Sequence, residues 1–103
     1  MIVTVFRSRL NAAVRAEYEP VAARMWQLAH AMPGFVSAKS FVAEDGERVT
    51  LVEFVDEASQ RAWRQHDEHL QAQTLGRKRF YSEFKLQVCT LLREIAFKNA
   101  PPA

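Results

Sequence analysis

A single cysteine, Cys89, stands among the 103 residues. It excludes an internal disulfide, and a reducing cytoplasm is the simplest setting for it. No stretch approaches the roughly 18 consecutive apolar residues of a membrane-spanning helix, so no membrane association is expected. The opening Met1-Ile2-Val3-Thr4-Val5-Phe6-Arg7 runs apolar before basic, the reverse of a secretory signal. Charge of either sign is scarce in excess. Fourteen Lys and Arg face twelve Asp and Glu, a net charge of +2, shared evenly by the two halves of the chain. Without a basic face or tail, that balance argues against nucleic acid as a partner. The one cationic cluster, Arg77-Lys78-Arg79, reads as a solvated helix C-terminus that complements the helix dipole, with anion binding as the alternative. Low-complexity segments and internal linkers are missing as well.

What is present is ordinary globular composition, 49% hydrophobic and 25% charged. The length fits one domain, taken as residues 1–95 with a tail over 96–103. The end of that tail, Asn99-Ala100-Pro101-Pro102-Ala103, looks loose. A chain this short buries only about two thirds of its unfolded surface, which leaves little stability to spare.

Alternation over Ile2–Arg9 predicts a strand, with Val3, Val5, Arg7 and Arg9 on one face and Ile2, Thr4, Phe6 and Ser8 on the other. Asn11 is a plausible cap for a helix ending near Met32. Its apolar stripe is Val14, Tyr18, Val21, Ala22, Met25, Leu28, Ala29 and Met32. Pro20 interrupts the stripe and predicts a kink or a restart; Pro33-Gly34 ends it. Phe35–Glu44 and Glu47–Val55 read as strands joined by a hairpin at Asp45-Gly46. Asp56 caps a second helix through Trp63 to about His66, continuing with a bend to about Gly76. A last strand starts near Phe80 and shows no clear stop before Glu94, about twice the usual strand length. A bulge, a split or an arm onto a second subunit would each account for that.

The order β-α-β-β-α-β is the ferredoxin-like split βαβ pattern, an α+β fold with both helices on one face of the sheet. Right-handed crossovers are read as placing the first strand beside the third, in parallel, with the last strand antiparallel on its other side. Phe84, Leu86, Val88, Val52 and Phe54 suit the helix-facing side. The uncovered face mixes Val3, Val5, Val49, Leu51 and Leu91 with charges and Cys89, and a half-apolar open face calls for a partner. A second copy stacked on the same face is the simplest closed arrangement. On this reading Arg7, Arg9, Glu53 and Glu83 meet at one end of the sheet as an ion-pair cluster at the dimer interface. Cys89, inside a strand, is read as an inert buried thiol.

Met32-Pro-Gly-Phe-Val36, Asp45-Gly46, Thr50-Leu-Val-Glu-Phe54, Ala62-Trp63 with His66 and His69, and Phe80-Tyr81 occur in this order along the chain. Together they resemble the antibiotic biosynthesis monooxygenase domain family of dimeric α+β barrel proteins, over roughly residues 2–93. The resemblance implies a homodimer whose two sheets close into a barrel, with a pocket in each subunit between helices and sheet. Its members include cofactor-free oxygenases of polycyclic phenols, quinol oxygenases and haem-degrading enzymes. The haem-degrading pattern is matched poorly, with Arg7, Ser8 and Arg9 in the first strand and Gln73 ten residues after Trp63.

Trp63, His66 and His69 are spaced by threes, so a continuous helix would turn them to one side. With Phe80, Tyr81 and Trp26 as pocket walls, they suit a small flat phenolic ligand. Tryptophan stacks on a ring, and a neutral histidine accepts a phenolic proton. A phenolate or carbanion can then reduce O₂ directly, and no cofactor is required. Trp63, His66 and His69 are therefore the catalytic candidates for a cofactor-independent monooxygenase of a polyphenol or quinol. The alternative is a ligand-binding or structural dimer in which the same residues are packing. Two histidines without a third ligand argue against a metal site.

Overall fold

The structure, a computed structural model, describes residues 1–100; Pro101, Pro102 and Ala103, the end of the expected tail, lie outside the described residues. Strand β1 spans Ile2–Leu10 and buries Ile2, Thr4 and Ser8, the even-numbered face. The Asn11 side chain then caps a short 3₁₀ turn, Ala12–Val14, accepting from the Ala13 N–H at 3.2 Å. Helix α1 follows over Arg15–Ala31. Every residue of the predicted apolar stripe is buried or half-buried. α1 is one helix through Pro20, so it does not restart there: a single backbone bond is lost near the helix start, and the inward stripe on both sides holds the rest.

Gly34, at φ +82°, turns the chain into β2, Phe35–Val42. Gly46, at φ +89°, makes the expected hairpin into β3, Arg48–Phe54. Asp56 caps α2, Glu57–Arg64, accepting from the Ser59 N–H at 2.8 Å. The expected bend is a full break: Gln65 and His66 leave the helical path, and α3 runs over Asp67–Leu75. One π-helical turn, Gly76–Phe80, leads into β4, Tyr81–Thr90. β4 thus stops short of Glu94. Its unusual length goes with a register shift opposite Arg9 and Leu10. The chain beyond it has no regular structure and leaves Leu92, Ile95 and Phe97 exposed.

The sheet order is β2-β3-β1-β4, and every neighbouring pair is antiparallel. The expected parallel pairing of β1 with β3 is therefore wrong. The crossover through α1 returns β2 in the direction of β1, and the hairpin then reverses β3. The error moves one charge. Glu53 lies across from Val3, at the far end of β1 from Arg7 and Arg9, and bonds the Ser37 hydroxyl instead. The hairpin supplies the acids in its place. Arg7 forks onto Glu47 at 2.8 and 3.1 Å, and Arg9 reaches Asp45 at 2.7 Å and Glu83 at 3.0 Å.

The helices lie on the even-numbered face of β1. Ala29, Phe54 and Trp63 form the core, with Met25, Leu28, Met32, Phe35 and Val52 packed around them. Coverage fades across the sheet. On edge strand β4 the cross-strand partners of Ser8, Phe6 and Thr4 are Phe84, Leu86 and Val88. They face the helix side yet remain 41%, 46% and 45% exposed. Cys89 is exposed on the open face rather than buried, because β4 is an edge strand with no layer over that face.

Candidate functional site

Two aromatic groups stand at opposite ends of the open β4 row. The first is built by the break between α2 and α3. Trp63, in the last turn of α2, is buried against Ala29 and Phe54. The chain reverses enough at His66 to lay the His69 ring on the Trp63 ring, 4.0 Å away and 13° from parallel. The His66 ring is 6.1 Å from Trp63. The three candidates come together, although no continuous helix carries them.

The two histidines have different jobs. His66 does not end a helix; it starts one. Its Nδ1 accepts the Glu68 N–H at 3.2 Å as the cap of α3. His69 Nδ1 lies 3.0 Å from the Trp63 carbonyl oxygen. A carbonyl only accepts, so His69 Nδ1 donates and carries the hydrogen. Nε2 is left with its lone pair, the form of imidazole that can take a proton. Burial pushes the His69 pKa down, which keeps the ring neutral near pH 7; the bond to the Trp63 carbonyl opposes that shift and nearby His66 adds to it. Glu68 is engaged by Arg24 at 3.0 Å. Among the described residues no three His, Cys, Asp or Glu side chains are arranged to hold a metal ion.

The second group is built by the π-helical turn. Gly76 lets the chain pass flush against the Tyr81 ring, where a Cβ would sit 2.7 Å from Tyr81 Cε2. The turn buries Phe80, and its carbonyl accepts the Asn11 N–H at 2.7 Å, tying it to the end of β1. Tyr81 then meets Phe6 at 5.4 Å, Tyr18 at 5.9 Å and Phe84 at 6.0 Å between ring centroids, and Tyr18 also meets Phe80 at 5.6 Å. These edge-on contacts are a favoured ring geometry. Burial, reinforced by Tyr18, drives the Tyr81 pKa well above the phenol range, so its hydroxyl stays a hydrogen-bond donor. Two guanidiniums lie over this group, Arg48 at 5.6 Å from the Tyr18 ring and Arg77 at 5.8 Å from the Phe84 ring. Arg79 is instead held by Glu17 at 2.5 and 2.6 Å.

Register connects the groups. Phe84 lies beside Ser8, and Val88 lies beside Thr4, whose other neighbour is Val52. Val52 packs on the Trp63 group. The exposed row Phe84-Leu86-Val88 therefore runs from Tyr81 toward the Trp63–His69 pair. At a strand spacing of about 4.8 Å, Val88 and Val52 are roughly 10 Å apart.

The remaining candidates fall elsewhere. Trp26 is 42% exposed and belongs to a third stack, 4.8 Å from His30, which in turn lies 4.4 Å from Phe35. Among the described residues two shallow cavities, of about 300 and 290 Å³, stand out. One is lined by Arg7, Ser8, Glu47, Glu83, Phe84 and Lys85, and so adjoins the start of the open row; the other lies between α1 and α3 beside Val21, Met25 and Leu75. Neither is lined by Trp63, His66 or His69. Reading the sequence missed Phe6 and Arg48 as site residues, took Tyr18 for packing alone and placed Phe84 in the core. Alternation does put Phe6 and Phe84 on the helix face, but nothing local in the chain brings Arg48 to Tyr18.

The model of the family described as "Antibiotic biosynthesis monooxygenase" matches residues 1–75. The uncharacterized protein YqjZ of Bacillus subtilis (strain 168) is 31% identical over 82 residues, covering 80% of this chain and 72% of that protein. Rv0793 from Mycobacterium tuberculosis has a similar structure, with a TM-score of 0.80 at 16% identity, covering 92% of this chain and 98% of that one. SnoaB, a cofactor-independent oxygenase from Streptomyces nogalater, gives 0.75 at 22% identity over 91% of this chain and 95% of its own. At these identities the two structures speak for the fold, the expected ferredoxin-like α+β arrangement.

Proposed function

That this chain belongs to the antibiotic biosynthesis monooxygenase family is the premise from which we propose a cofactor-independent monooxygenase of a small, flat, electron-rich aromatic, a polyphenol or quinol, working as a cytoplasmic homodimer. The observation that carries this reading is the row Phe84-Leu86-Val88. It is apolar, faces the helices and is open to solvent, with aromatic walls at one end and a neutral imidazole beyond the other. A flat ring system lying along that row would bury the apolar surface the helices leave bare.

His69 is the base of this mechanism. Its Nε2 lone pair accepts the acidic proton of a phenol or of a methylene between aromatic rings. The resulting anion gives its electrons to O₂. One oxygen atom stays on the substrate carbon, replacing two hydrogens; the other leaves as water. The substrate is its own reductant, so the balance closes without a flavin or a metal. Trp63 holds the His69 ring by stacking and by its carbonyl.

The dimer rests on the other face. Val3, Val5, Val49 and Leu51 lie half-exposed there with Phe41, an uncovered apolar surface of the kind a second copy would close. Arg7, Arg9 and Glu83, paired at the hairpin end of that face, would fix its register; Glu53 would border it at the opposite end. Sedimentation at micromolar concentration should give twice the 11.8 kDa chain mass. Cys89 should be protected from thiol reagents in that dimer and become reactive on dilution; a monomeric mass refutes this part of the reading.

The activity is tested by O₂ uptake with an anthrone or a hydroxynaphthoquinol, without added flavin or metal. His69→Ala should reduce turnover at least tenfold and His66→Ala less than threefold. Equal turnover in both variants and the parent removes histidine from the mechanism. A second reading, a non-catalytic ligand-binding or structural dimer, is favoured by the burial of Trp63 in the core cluster with Ala29 and Phe54. That reading predicts thermal stabilisation by aromatic compounds without product, or no response at all.

A further inference from the structure

We infer that the aromatic slot takes a carboxylate-bearing ligand, whose acid group is held by Arg48 and Arg77. The slot is the Tyr81 end of the open row, where Phe6, Tyr18, Tyr81 and Phe84 meet; the inference rests on the ligand site proposed along that row and adds the charge of its occupant. The arginines of this chain are mostly spoken for. Arg7, Arg9, Arg15, Arg24, Arg61 and Arg79 each lie within 4.0 Å of a carboxylate. Among the described residues Arg48 and Arg77 have neither a carboxylate partner nor a side-chain hydrogen bond, and both lie over rings of one aromatic group. Arg64 and Arg93 are also without a carboxylate, but they lie over no ring.

The two come from distant parts of the chain by separate devices. Arg48 is the first residue of β3, opposite Ser8, whose partner on β4 is Phe84. Arg48 and Phe84 thus sit on the same face two strands apart, about 10 Å at ordinary strand spacing. Arg77 is carried over Phe84 by the π-helical turn, an irregularity often associated with functional positions. Within Arg77-Lys78-Arg79 the roles separate: Glu17 occupies Arg79, and Arg77 faces the rings. Of this cluster Arg77 is the member set against the rings, so the alternative expectation of anion binding is assigned to it.

A guanidinium against a ring face keeps its N–H edge free, and that edge matches a carboxylate with two parallel hydrogen bonds. Half-buried rings around it lower the local dielectric and strengthen the pair relative to one in open solvent. A neutral quinol would use the rings and leave both guanidiniums idle. A fused-ring acid would use both.

The test is isothermal titration with two flat probes, 1-hydroxy-2-naphthoate and 1-naphthol, against the parent protein, Arg48→Gln, Arg77→Gln, Arg48→Lys, Arg77→Lys and the control Arg93→Gln. Circular dichroism melts establish that each variant is folded. The naphthoate should bind at least tenfold more tightly than the naphthol. Each Gln variant should weaken the naphthoate at least fivefold and the naphthol less than twofold, the Lys variants should fall between, and Arg93→Gln should match the parent. Equal affinity for the two probes overturns the carboxylate while the aromatic slot stands. An acid preference that survives both Gln variants overturns the assignment to these arginines. Failure of both probes to bind overturns the slot and the inference together.

Discussion

Replacing Trp63 with alanine separates a packing role from a chemical one, because the structure fixes how large the packing effect must be. Trp63 is 8% exposed and forms a core cluster with buried Ala29 and Phe54, ringed by half-buried Met25, Leu28, Met32, Phe35 and Val52. A buried tryptophan removes about 150–250 Å² from water. At about 25 cal/mol per Å² that is roughly 4–6 kcal/mol, less the methyl that alanine keeps. Measured Trp-to-Ala losses in cores, about 3–5 kcal/mol, agree. Loss of the His69 stack falls within the same figure. For a domain near 100 residues the melting temperature should drop by on the order of 15–30 °C. The assay is urea unfolding at fixed protein concentration, since a dimer couples stability to concentration. Trp63→Phe should lose about half as much. A loss below about 1 kcal/mol for Trp63→Ala would refute the core assignment and leave Trp63 free to be a pocket wall.

The pH dependence of stability should carry the signature of His69. Its folded pKa lies below the unfolded value of about 6.5, so the unfolded chain binds more protons as pH falls. The stabilisation is intact above about pH 6.5 and is lost as pH falls through the lower folded value. Urea midpoints at pH 7.5 and 5.0 should therefore diverge more for the parent than for His69→Gln; equal divergence refutes the burial-driven shift. Gly34→Ala should cost about 2–4 kcal/mol, from its φ of +82° plus a Cβ placed 2.6 Å from Ser59 Cβ. Gly46→Ala, at φ +89° with nothing within 4 Å of the added Cβ, should cost only about 1 kcal/mol. Equal costs would refute the close approach of Gly34 to α2.

Much of the site was readable as a set of residues and little of it as an arrangement. Threefold spacing grouped Trp63, His66 and His69, and they do meet. The expected route, one continuous helix, failed because His66 caps a new helix with its ring nitrogen. A histidine as cap has no spacing signature to distinguish it from a histidine on a helix face. Phe80 and Tyr81 were legible as aromatics at a chain reversal. Trp26 was not separable from them in the sequence, because α1 could have turned it toward either layer. Glu53 was misplaced for a topological reason: its partner on β1 depends on strand direction, which alternation alone does not encode.

Local pattern by itself determined the elements and their faces. The Asn11 and Asp56 caps, the turns at Gly34 and Gly46 and the stripe of α1 all stand where side-chain chemistry and backbone sterics require them. Those effects act over a few residues, so they can be read along the chain. Tertiary structure decided what no local rule reaches. It set β3 antiparallel to β1, brought Glu47 to Arg7 across 40 residues and Arg79 to Glu17 across 62, and left Phe84, Leu86 and Val88 uncovered on the helix side. Each of these depends on where a whole layer comes to rest, and that is settled by the packing of every helix on the sheet at once.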